Sequence, residues 1–177
     1  MAKVRSNDIS FLKQLAEYRI LSINQIATLF CITPRAARKK AQALFTAKLV
    51  SIMPMTFGQG KGRPENLITI SGEGVKALFA CNFLDEKESF ESIPFQDFQR
   101  MDHELLVNWF RIHLINLEKN LPELNVDFIS PTTPFVRLRK DGSPLISDNV
   151  KIDGQDRNFV PDGVFSISHK EQQKRLL

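Results

Sequence analysis

"INQIATLFCITPRAARKKAQALF", residues 23–45, holds two short helical periodicities separated by a break, and the fold turns on how they are read. In the first, Ser22 stands as a cap and Ile23, Ile26, Ala27 and Phe30 fall at i, i+3, i+4 and i+7, so one face of a two-turn helix is apolar. "CIT" interrupts the pattern. Thr33 is then a cap and Pro34 occupies the first helical position, where its missing N–H costs nothing. In the helix that follows, Ala37, Ala41, Leu44 and Phe45 make the inward stripe. Arg35, Arg38, Lys39 and Gln42 recur at i, i+3, i+4 and i+7 on another face. Two short helices joined by about three residues, the second small inside and cationic outside, match a helix-turn-helix whose second member enters a major groove. The competing interpretation is a solvated helix on a bundle surface.

The flanking residues favour the first alternative. Upstream, "NDISFLKQLAEYRI" (7–20) offers Asn7 and Asp8 as caps and places Ile9, Leu12, Ala16 and Ile20 at helical spacing. Downstream, "LVSIMPMTF" (49–57) and "ENLITIS" (65–71) are strand-like runs about the glycine-rich basic turn "GQGKGRP" (58–64), which predicts a hairpin. Ser71 then caps a short helix to about Phe79. Helix, helix, helix, hairpin is the order of a winged helix, and Lys61 and Arg63 at the wing tip suit phosphate contacts. A nucleotide-binding loop is disfavoured: the turn lacks the Walker spacing and leads into a strand. The candidate DNA contacts are Thr33, Arg35, Arg38, Lys39, Lys40, Gln42, Lys61 and Arg63.

Charge distribution points the same way. Residues 1–64 carry 11 Lys and Arg against 2 Asp and Glu, a net +9; residues 65–177 carry 13 against 18, a net −5. A basic segment in an otherwise acidic chain is the footprint of a polyanion partner, because each cation set on a phosphate releases a condensed counterion.

The acidic stretch "CNFLDEKESFESIPFQD" (81–97) is expected to be a linker between a winged-helix domain, 1–80, and a small α+β domain, 98–177. The second domain opens with the longest periodic helix, "QRMDHELLVNWFRIHLINLEKN" (99–120), in which Leu105, Leu106, Trp109, Ile112, Leu114 and Leu117 build a wide apolar face. "LNVDFIS" (124–130), "PFVRLRK" (134–140) and "NFVPDGVFSIS" (158–168) follow as strands. Cys31 and Cys81 lack disulfide or zinc spacing and are expected as buried thiols. His103 and His113 are not at the i, i+4 spacing of a helical metal pair, and no nucleophile arrangement assembles, so no enzyme activity, metal or cofactor is expected. The start lacks a signal peptide and no apolar run is long enough to span a bilayer, which predicts a soluble, cytoplasmic protein.

Four segments in this order, "PRAARKKAQAL" (34–44), "GKGRPENLITISGEG" (60–74), "HELLVNWF" (103–110) and "FVPDGVFSI" (159–167), make the chain resemble the replication-relaxation proteins of plasmids and integrative conjugative elements. The resemblance implies binding of double-stranded DNA in replication or conjugative transfer, with a relaxase or replication initiator as partner; winged-helix proteins commonly act as homodimers. It also implies a second domain that is truncated, because family members continue into a further strand with a Glu-Val-Asp-like run where this chain ends at "SHKEQQKRLL". A Pro-Asp strand followed by an acidic-x-Lys strand is how nucleases of the restriction-endonuclease-like fold gather metal-binding carboxylates. Asp162 and Glu104 could start such a site, but Glu171 and Lys174 have the wrong spacing to complete it. A transcription regulator with a sensing or dimerising second domain is the alternative function, and a degenerate nuclease a further one.

Overall fold

The computed structural model describes residues 5–54, 66–84, 93–95, 100–130, 148–159, 161–170 and 175–176. Helices and strands are mixed, and every strand pairing among these residues is antiparallel. The chain divides into two compact units, Met1–Ile112 and His113–Leu177.

In the first unit α1 (Ser6–Tyr18) starts a few residues earlier than the Asn7 and Asp8 caps suggest. Arg5 is the cap residue, and the Asp8 carboxylate reaches back to accept the Arg5 backbone N–H at 3.0 Å, so Asp8 serves the cap from the third helical position. The helix buries Ile9, Phe11, Leu12, Leu15, Ala16 and Tyr18 and stops at Arg19. Ile20, expected at the helix end, instead begins a three-residue strand, β1 (Ile20–Ser22). Ser22 caps α2 (Ile23–Leu29) in a reciprocal box with Gln25. The hairpin forms as expected from β2 (Val50–Pro54) and β3 (Asn66–Ile70), and β1 pairs with the other edge of β3 to give the order β1-β3-β2. The turn residues 58–64 lie outside the described residues.

Capped by Ser71, α4 (Gly72–Ala80) packs against α1. A Cβ on Gly74 would stand 2.2 Å from the Leu49 carbonyl oxygen, so only glycine permits this approach of α4 to the start of β2. Ile93 and Phe95 of the acidic stretch are buried, 3% and 5% exposed, and Phe95 joins Ile20, Leu67, Met101 and Leu105 in one apolar cluster. Among the described residues of this stretch, Leu84, Ile93 and Phe95 therefore belong to the first core.

The long helix forms as α5 (Met101–Asn120), but its residues 101–112 belong to the first unit, which thus runs past the expected boundary. Its buried positions there are Met101, Leu105, Asn108, Arg111 and Ile112; Leu106, placed on the apolar face by sequence, is 69% exposed. Both cysteines are exposed, not buried. Cys31 follows the end of α2 with a φ of 53°, and Cys81 is the cap residue ending α4.

In the second unit β4 (Leu124–Ile129) and β7 (Val164–His169) pair through their full length, with β8 (Arg175–Leu176) on the far side of β7. β5 (Asp148–Ile152) and β6 (Gln155–Phe159) form a separate hairpin, whose first strand sequence reading did not find. The run 158–168 is interrupted around Asp162, where Gly163 packs so closely on Phe128 that a Cβ would meet its ring at 2.3 Å. The strand expected over 134–140 lies outside the described residues.

Candidate nucleic-acid interface

α3 (Pro34–Thr46) begins where the Thr33 hydroxyl accepts the Ala36 N–H at 3.2 Å, with Pro34 in its first turn. Ala37, Ala41 and Leu44 are buried to 0%, 1% and 3% exposure, and the small alanines allow α3 to sit close against α2. Arg35, Arg38, Lys39 and Gln42 are all exposed. Three cations and an amide on a rigid two-faced helix can offer bidentate donors to guanine, a donor–acceptor pair to adenine, and charge to phosphate. Phe45, expected inward, falls to the side of the buried stripe and is 45% exposed.

Lys40 is set apart from these cations. Its Nζ donates to the Asp8 carboxylate of α1, and it lies 6.0 Å from the centroid of the Phe11 ring. Phe11 in turn stacks on Phe30 with centroids 5.1 Å apart, so Lys40 joins α3 to the α1–α2 pair. Partial burial opposes ionisation of Asp8, but the Lys40 hydrogen bond, the Arg5 N–H and the charges of both residues outweigh it and hold the carboxyl below its usual range. The Thr33 hydroxyl is engaged in its cap. Of the eight candidate contacts, Arg35, Arg38, Lys39 and Gln42 share the exposed side of α3, while Lys61 and Arg63 lie outside the described residues.

The carboxylates considered for a metal site belong to different parts of the chain, Glu104 to the first unit and Asp162 to the second. Glu104 is half-buried on α5, Asp162 is exposed before β7, and Glu171 and Lys174 lie outside the described residues. His103 and His113 are exposed on α5. Among the described residues, no three His, Cys, Asp or Glu side chains gather as a metal site, and no helix is long and apolar enough to cross a membrane.

Sequence reasoning passed over Gln25, Asn108 and Arg111, which are 0%, 2% and 5% exposed. A signal for one of them was present. Met101, Leu105, Asn108 and Ile112 recur at i, i+4, i+7 and i+11, so phasing α5 on Met101 would have put a polar residue at a core position. Compared with known proteins, the chain matches no family model, no curated protein and no solved structure.

Proposed function

We propose that the first unit is a winged helix that binds double-stranded DNA with a sequence preference, α3 lying in the major groove and the 58–64 turn acting as the wing. The observation that carries this is the division of α3, with Ala37, Ala41 and Leu44 buried and Arg35, Arg38, Lys39 and Gln42 exposed. Support comes also from the hairpin, whose strands pack on α1, α2 and α3, and from the net +9 of residues 1–64. The resemblance of four segments to replication-relaxation proteins supports a place at the origin or transfer origin of a mobile element, beside a relaxase or replication initiator, and a homodimer reading two half-sites.

Selection of duplexes from a randomised library, followed by footprinting of the selected sequence, tests the proposal. An enriched motif protected across a major groove is the expected result. Equal retention of all duplexes would leave only unspecific charge attraction, and no retention at moderate salt would overturn the reading.

A further inference from the structure

Arg19 stands between α1 and β1 with φ 62° and ψ −47°, on the left-handed side of backbone space where a side chain is crowded. The carbonyls on either side of it converge on one group: the Asn108 side-chain nitrogen donates to Tyr18 O at 2.9 Å and to Ile20 O at 2.7 Å. Both amide hydrogens are thereby used. The Arg19 carbonyl itself accepts from Thr69 Oγ1 at 2.9 Å. Just beyond Asn108 on α5, Arg111 donates to Glu17 O at 3.3 Å, pairs with Glu17 Oε1 at 2.5 Å, and lies 4.2 Å from the centroid of the Tyr18 ring. These contacts satisfy carbonyls that α1 leaves open at its C-terminus and place a cation at the negative end of its dipole.

The other end of β1 is tied to the same helix. Gln25 Nε2 donates to Leu105 O at 2.6 Å, while Gln25 Oε1 accepts the Ser22 N–H at 2.9 Å. Asn108 therefore holds β1 at Ile20, and Gln25 holds it at Ser22, where α2 begins. With seven residues, α2 is too short to fix its own direction, so that direction comes from what it is bonded to and packed against.

We propose that Asn108 and Gln25 are positioning residues for DNA reading: by holding both ends of β1 on α5 they set the direction of α2 and of the α3 packed on it. The proposal rests on α3 being the helix that contacts duplex. A buried polar pair is costly to misplace, since each unmet donor or acceptor keeps its desolvation penalty, and this gives the α2–α3 pair one orientation and not several.

The test uses the full chain. Asn108→Asp keeps size but loses both donors; Gln25→Glu loses the donor to Leu105 O yet retains the oxygen that accepts the Ser22 N–H. Asn108→Leu serves as a second variant if a buried carboxylate prevents folding. Each is measured well below its unfolding midpoint, so that affinity refers to folded molecules. Affinity for the duplex selected by the wild-type chain is expected to fall roughly 3- to 30-fold. Affinity for random duplex should fall less, and amide exchange at Leu21 and Ile23 should quicken. A role in stability alone predicts a lower midpoint with unchanged affinity of the folded protein, and that result in Asn108→Leu and Gln25→Glu overturns the proposal. A wild-type chain that selects no duplex overturns instead the reading of α3 beneath it.

Discussion

Lys40 on α3 donates to the Asp8 carboxylate on α1, so one cation of the basic helix orients that helix. Both side chains are partly buried, at 28% and 19% exposure, which shields the pair in part from screening. Asp8→Asn retains an acceptor for the Arg5 N–H while removing the charge, and should cost about 0.5–1 kcal/mol at neutral pH. Because the folded-state pKa of Asp8 is lowered, its contribution is complete above the unfolded value near pH 4 and disappears as pH falls through the folded value. The difference in unfolding midpoint between wild type and Asp8→Asn should therefore shrink between pH 5 and strongly acidic conditions. A constant difference would show that the carboxylate charge is not what stabilises the contact.

The same pairing separates Lys40 from its neighbours. Arg38→Ala or Gln42→Ala should cost about 1–3 kcal/mol of binding on the preferred duplex with little change in thermal midpoint, because both residues are exposed. Lys40→Gln should do the reverse, lowering the midpoint while leaving the salt dependence of binding in place. Equal binding losses in Lys40→Gln and Arg38→Ala would mean that Lys40 leaves Asp8 to reach phosphate.

Two glycines two residues apart on α4 should respond oppositely. Gly72 has no atom within 4 Å of where a Cβ would stand, whereas at Gly74 the Leu49 carbonyl oxygen is 2.2 Å away and an Ile70 side-chain carbon 2.7 Å. Gly72→Ala should gain about 0.4–1 kcal/mol by restricting the unfolded chain. Gly74→Ala must move backbone and should lose about 1–3 kcal/mol or more. Chemical denaturation of the two variants measures both signs.

Local signals explain why so much of the first unit was readable. Ser22, Thr33 and Ser71 each cap the helix that follows, because a side-chain oxygen before an apolar period has a nearby backbone N–H to accept. The hairpin was equally plain from two β-prone runs about a glycine turn. What escaped depended on distant partners. Ile20 continues a helical period, yet pairing with Thr69, far along the chain, draws it into a strand. Asn108 and Arg111 look solvated until α1's open carbonyls are placed beside them, and Lys40 cannot be told from Lys39 until α1 is packed against α3. The exposed side of α3 was legible because helical spacing alone divides it; the inward assignment of Phe45 failed at the edge of that stripe.

Tyr18 illustrates a cost without a partner. It is 2% exposed, its ring lies against the Arg111 guanidinium, and its hydroxyl has no hydrogen-bond partner among the described residues. Burial raises its pKa despite the opposing charge of Arg111, so the hydroxyl stays neutral throughout the physiological range. Tyr18→Phe keeps the ring and its cation contact while removing a buried polar atom, and should leave stability unchanged or raise it by up to about 1 kcal/mol. A clear loss of stability in thermal unfolding would contradict this reading of the hydroxyl as a buried cost.

Salt dependence gives the most direct count of how many cations meet phosphate. With Lys40 bonded to Asp8, the candidates are Arg35, Arg38 and Lys39 on α3 with Lys61 and Arg63 of the turn. If each neutralises one phosphate, log K against log salt should fall with a slope of about −4.5, at roughly −0.9 per contact. Replacing Lys61 and Arg63 together by Ala should bring the slope to about −2.7 and weaken preferred and random duplexes alike, since backbone contacts carry no sequence information. Arg38→Ala should instead narrow the gap between preferred and random duplex, because loss of a base contact removes discrimination along with any charge. Titration of the three proteins on one selected and one scrambled duplex separates these outcomes. A slope near zero in the wild type would mean that the net +9 of residues 1–64 is solvated surface and not an interface.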